Sequence, residues 1–132
     1  MTKEGYTSNE RIKEESDFLR GNISDLLHDD SITHFPSEEE FLLKFHGITQ
    51  QDNRDERLIR KKNGQERNWL FMLRLRLPGG RMTPSQWLAA ETLSDQFGNG
   101  TLKLTTRQAI QIHGVVKQDL KQTMKDIHHA AI

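Results

Sequence analysis

The sequence predicts an α+β fold: an incomplete β-α-β-β-α unit over residues 68–132, truncated at its C-terminus and preceded by an extended, partly helical arm and linker over 1–67. Three stretches carry this expectation. Trp69, Phe71, Leu73, Leu75 and Leu77 alternate with Leu70, Met72, Arg74 and Arg76, the period of two of a strand with one apolar face. Thr83-Pro84-Ser85-Gln86 is a capping box with proline at the first helical position, and Trp87, Ala90, Leu93 and Phe97 follow at helical spacing, a stripe expected to pack on the sheet. Residues 101–114, TLKLTTRQAIQIHG, read as two short strands joined at a tight corner.

Before the first of these stretches the chain is polar. Ser8 or Asn9 can cap a helix from Glu10 to Arg20, with Ile12, Ser16 and Leu19 on one side and Gly21 as its stop. Residues 28–40, HDDSITHFPSEEE, combine turn formers, a proline and three consecutive acids, and read as linker. The run Phe41 to Gly47 reads as a strand or an extended arm laid on a neighbour. A charged helix is expected from Asp52 to Asn63-Gly64, with only Leu58 and Ile59 to anchor it. After Gly114, Asp119 with Gln122 can cap a last helix whose Leu120, Met124, Ile127 and Ala131 form its buried side. The resulting order is one strand short of a ferredoxin-like βαββαβ unit.

Composition narrows the function. Hydrophobic residues make up 33% of the 132 and charged residues 29%, so the core is thin and is expected in the second half of the chain. Nineteen basic and 19 acidic residues cancel, which gives no general electrostatic reason to bind nucleic acid or a membrane surface; an anion site must be local. No apolar run could span a bilayer and the N-terminus lacks the apolar core of a signal peptide, so a cytoplasmic protein is expected. The absence of cysteine excludes disulfides, thiolate zinc sites and cysteine-held iron–sulfur clusters within this chain. The six histidines show no metal-ligand spacing, so no metal ligand is expected.

One constellation points to a ligand. In the second short strand Ile110 and Ile112 fall on one face, while Arg107, Gln111 and His113 fall on the other; Arg74 and Arg76 end the preceding strand of the same small sheet. Planar guanidinium forks, an amide and an imidazole suit a carboxylate-rich or oxyanionic ligand. A solvated strand face is the alternative reading of these residues taken alone. Nucleic acid is disfavoured, because the 101–114 strands offer no aromatic on which a base could stack.

WLFMLRLRLPGGRMTPSQW followed by GTLKLTTRQAIQIHG resembles the N-terminal ferredoxin-like half-domain of the sirohaem-dependent nitrite and sulfite reductases. RIKEESDFLRGNI and FLLKFHGITQQDNRDERL resemble one branch, the haemoprotein (beta) subunit of assimilatory NADPH-sulfite reductase. The resemblance implies sirohaem and a [4Fe–4S] cluster as cofactors, reduction of sulfite to sulfide by six electrons in sulfate assimilation and cysteine biosynthesis, and a flavoprotein (alpha) subunit as donor. It implies Arg74 as a sulfite-contacting residue. Arg107, Gln111 and His113 match positions that line sirohaem and meet its carboxylates, with Thr105 and Thr106 at the adjoining corner and Arg76 and Lys103 beside them.

Three departures stand out. Lys103 stands where relatives can carry arginine, and Ile112 where some have an aromatic. The chain also lacks the family's later segments, with the cluster cysteines and the lysine pair of the substrate site. It is therefore expected to be an N-terminal fragment, inactive without the remainder of the haemoprotein chain. The alternatives are a fragment of a nitrite reductase, or a stand-alone module that binds an anion or tetrapyrrole and self-associates to complete its sheet.

Overall fold

The computed structural model describes residues 5–132. In chain order these form α1 (Ser8–Glu15), α2 (Ile23–His28), α3 (Ser37–Leu43), β1 (Ile48–Asp52), α4 (Arg54–Lys62), β2 (Trp69–Leu75), α5 (Pro84–Phe97), β3 (Leu102–Leu104), β4 (Ile110–Val115) and α6 (Lys117–His129). The four strands make one antiparallel sheet in the order β1-β2-β4-β3. Five of the elements, β2-α5-β3-β4-α6, are the expected unit. The strand position beside β2 is filled from the N-terminal side by β1, which leaves β1 and β3 as the two edges of the sheet.

Alternation along β2 sets the layers. Phe71, Leu73 and Leu75 are buried with Ile110, Ile112 and Val115 of β4, and Ala90 and Leu93 of α5 and Leu120 of α6 close over them. The expected loose first half joins this core: Phe35, Leu43 and Ile48 are at most 4% exposed. Phe35 packs edge-on to Phe71, ring centroids 5.8 Å apart. Its backbone is held by a buried side chain, with the Phe35 N–H donating to Gln50 Oε1 at 2.7 Å and Gln50 Nε2 donating to the Phe35 carbonyl at 3.2 Å. Gln50 thus serves residue 35 as a neighbouring strand would, satisfying a donor and an acceptor that burial would otherwise strand.

Several local expectations change. The first helix is capped by Thr7 and stops at Glu15, because Asp17, Phe18 and Leu19 take positive φ. Within the 28–40 stretch, Pro36 precedes α3 at Ser37, and the run from Phe41 finishes that helix and a 3-10 turn instead of forming a strand. The strand comes next, after Gly47 reverses the chain in a left-handed conformation (φ 78°). Leu58 and Ile59 are exposed, so α4 is held by polar contacts: an Asn53 cap, Arg57 on Asp52, and Arg60 on Glu56. α6 begins at Lys117, with Asp119 inside its first turn instead of capping it. Trp87 is 42% exposed; the buried face of α5 runs through Ala90, Leu93 and Ser94, and Trp87 sits one turn before it. The capping box itself forms, Thr83 Oγ1 accepting from the Gln86 N–H at 3.2 Å and Gln86 Oε1 from the Thr83 N–H at 2.9 Å. Among the described residues no helix is long and apolar enough to cross a membrane.

Phe35→Ala removes an aromatic ring from the core and is expected to cost about 3–5 kcal/mol of unfolding free energy. Gln50→Ala leaves the buried Phe35 peptide groups unpaired and is expected to cost roughly 1–3 kcal/mol. Urea denaturation followed by tryptophan fluorescence measures both; a neutral result for each would detach residues 35–50 from the core.

Candidate functional site

Helices α5 and α6 pack on the core face of the sheet, and the opposite face carries a row of donors fixed by strand register. Arg74 of β2 lies opposite Gln111 of β4, and Lys103 of β3 lies opposite the same Gln111. The neighbours of Arg74 and Gln111, namely Leu73, Leu75, Ile110 and Ile112, are at most 3% exposed, so alternation turns Arg74 and Gln111 away from the core, and the β3–β4 register sets Lys103 on the same face. Arg74 and Lys103 are exposed and Gln111 is half-buried.

His113 follows two residues along β4 on this face. The step from Leu73↔Ile112 to Phe71↔Val115 leaves His113 and Gly114 opposite Met72 alone, a β-bulge. Gly114 (φ 83°) accommodates it, since a Cβ there would stand 3.0 Å from Asn99 Cβ, and the Asn99 N–H donates to the His113 carbonyl at 2.8 Å. The His113 Nε2–H donates to Gln111 Oε1 at 3.0 Å, which leaves Nδ1 as the ring's free acceptor. Burial, and then the nearby Lys103 charge, push the His113 pKa below the usual imidazole value.

Arg107 lies in the turn between β3 and β4, not on the β4 face where sequence alternation puts it. Thr105 closes that turn before the ladder begins: its N–H donates to the Ala109 carbonyl at 2.9 Å, and its Oγ1 accepts from the N–H groups of Arg107 (3.3 Å) and Ala109 (3.2 Å). The Thr105 hydroxyl hydrogen remains available to a further acceptor. Thr106 is exposed in the same turn. Arg76 is exposed immediately beyond β2 and leads into the 3-10 turn Pro78–Gly80. A cavity of about 460 Å³ lies between the two turns, bordered by Gly80, Trp87, Leu104, Thr105 and Gln108.

Charge is segregated around this face. Although the chain has 19 acidic residues, none lies between Arg67 and Ala90 or between Phe97 and Gln118, and those segments contain Arg67, Arg74, Arg76, Arg81, Lys103, Arg107 and Lys117. Among the described residues, Arg74, Arg76, Lys103 and Arg107 take part in no ion pair, whereas Arg57 and Arg60 of α4 each have a carboxylate. Cations gathered without an internal counter-charge favour an external anion. No group of three or more His, Cys, Asp or Glu suited to a metal occurs among the described residues.

Sheet order and open face together define a ferredoxin-like half-domain that presents a cationic, acid-free surface. Residues 63–130 match the nitrite/sulfite reductase ferredoxin-like half domain, and the chain belongs to that family. It is 56% identical over 121 residues to the Saccharomyces cerevisiae protein named sulfite reductase [NADPH] subunit beta, covering 92% of this chain and 8% of that one. It is 47% identical over 123 residues to the Bacillus subtilis sulfite reductase [NADPH] hemoprotein beta-component, covering 93% and 22%. The structure of the Mycobacterium tuberculosis NirA protein superposes with a TM-score of 0.72 over 94% of this chain and 24% of that one; at 15% identity this is a likeness of fold. The chain thus spans less than a quarter of the length of these relatives.

A proton NMR titration is expected to place the His113 midpoint below the ordinary value of about 6.5. Lys103→Gln, which removes the repelling charge, raises that midpoint. Because the folded state disfavours the proton, His113 adds stability above pH ~6.5, and that contribution is lost as pH falls from there through the depressed folded pKa. An unmoved midpoint in Lys103→Gln would separate the two side chains.

Proposed function

We propose that this chain supplies one wall of the cofactor and anion pocket of a sulfite-reducing haemoprotein, and that it works only with the remainder of that protein. The observation that carries this reading is the aligned, acid-free row Lys103–Gln111–Arg74, with His113 beside it. Its donors fit a macrocycle edged with carboxylates: Arg76, Lys103 and Arg107 bring charge, Gln111 an amide, and Thr105 and Thr106 hydroxyls at the corner. In this reading the group is sirohaem, which when bound supplies the redox centre for reduction of the oxyanion. The names of relatives at 47–56% identity favour sulfite over nitrite.

Each residue then has a physical task. Arg74 lies on the row between β1 and the donors of β4 and holds a sulfite oxygen through its guanidinium, an interaction that strengthens as negative charge develops. His113, kept neutral in the free chain, regains affinity for a proton when a carboxylate arrives, since an opposite charge favours the imidazolium. Gln111 fixes the ring by accepting its Nε2–H. This chain has no cysteine, so the thiolates for a [4Fe–4S] cluster belong to the later segments, and electrons come from a flavoprotein (alpha) subunit in the cytoplasm.

A second reading, a stand-alone tetrapyrrole-binding module, draws on β1, which supplies the fourth strand of the sheet from the N-terminal side.

Uroporphyrin, a soluble porphyrin octacarboxylate, is expected to bind the purified chain, and Arg107→Ala or Lys103→Ala each to weaken it about tenfold, the scale of one charge-assisted hydrogen bond. Binding indifferent to both substitutions would remove the face from the site. The chain alone is expected to oxidise no reduced viologen with sulfite; joined to the remainder of the haemoprotein, it should do so, and Arg74→Ala should then lower turnover roughly 10²-fold or more. Turnover by the isolated 132-residue chain would overturn the fragment reading.

A further inference from the structure

We propose that Gly80 is a positioning residue, whose missing side chain lets the Pro78–Gly80 turn close against Gln108 and so sets the spacing of the corners that carry Arg76 and Arg107. The geometry is independent of the proposed function; the consequence for ligand binding rests on it. A Cβ at Gly80 would stand 2.8 Å from Gln108 Cβ and 3.4 Å from its Cγ. Non-bonded carbons settle near 3.5–4.0 Å, so any side chain at 80 drives the turns apart.

Gln108 has little freedom to yield. Its N–H donates to the Thr105 carbonyl at 3.1 Å, its Nε2 donates to the Thr106 carbonyl at 3.2 Å, and the ladder between β3 and β4 anchors both ends of its turn. Its backbone is left-handed (φ 53°), facing Gly80 at φ 69°. The contact is with the β-carbon, which no rotamer change can move. A displaced turn carries Arg107 with it, and fixed donors bind an anion better than donors that must be brought together.

Gly79 is the internal control. It has nearly the same backbone conformation (φ 64°), but a Cβ there meets nothing within 4 Å. Gly79→Ala therefore reports the conformational cost of a side chain in this turn, and Gly80→Ala reports that cost plus the contact. Uroporphyrin affinity and amide hydrogen exchange at Arg107 and Ala109 are measured in the intact chain for both variants and for Gly80→Ala combined with Gln108→Gly. Gly80→Ala is expected to weaken uroporphyrin about tenfold more than Gly79→Ala does. It should also speed exchange at both amides, and Gln108→Gly should restore both readouts. Equal behaviour of the two alanine variants, or no restoration by Gln108→Gly, overturns the proposal. If the unsubstituted chain binds no uroporphyrin, the functional reading falls, and the exchange comparison still decides the role of Gly80.

Discussion

Every feature of the open face follows from one constraint, the side-chain alternation of a central strand paired on both edges. β2 lies between β1 and β4, so neither edge can slip without breaking a ladder. Burying Leu73 and Leu75 obliges Arg74 and Arg76 to leave the core, and the register with β4 brings Gln111 level with Arg74. A one-residue slip would bury the arginines and expose the leucines, which makes the donor row as secure as the core beneath it.

That core depends on polar clamps that tie the N-terminal segment to the ferredoxin-like unit. Gln50 holds the Phe35 backbone, and Lys117, 2% exposed, donates to the Asp29 carbonyl at 2.6 Å while lying 5.7 Å from the centre of the Phe35 ring. Burial pushes the Lys117 pKa down, opposed by the charges of Asp29 and Asp30. One turn further along α6, Lys121 Nζ donates to His28 Nε2 at 2.6 Å. These contacts span 88 and 93 residues of sequence and close the polar N-terminal segment over a core it has few apolar residues to complete. A thin, charged sequence thereby achieves a closed fold: directional bonds place the few large side chains it has where they fill space.

Segregation of charge gives the face its chemistry. With as many acids as bases, the protein has no long-range pull on anions, yet the two segments that build the face contain no acid at all. The attraction this face exerts on an anion is therefore short-range. His113 lies beside the row, its pKa lowered first by burial and then by the Lys103 charge.

Sequence by itself determined the elements whose signals are local. The β2 alternation, the Thr83–Gln86 capping box and the two strands around Thr105 appear where periodicity and capping chemistry put them, because each is settled by neighbours within a few residues. Tertiary structure decided what depends on distant partners. β1 had no pattern of its own beyond ITQQD and became a strand because β2 had an unpaired edge. Arg107 left the β4 face because the Thr105 hydroxyl bonds closed the turn early, and Trp87 stayed half outside because the helix–sheet contact begins one turn later. Which cations lack a carboxylate, and which glycine must stay bare beside Gln108, are facts of spatial neighbourhood. A linear pattern encodes the direction in which a side chain leaves the backbone, but only the assembled sheet determines what it meets.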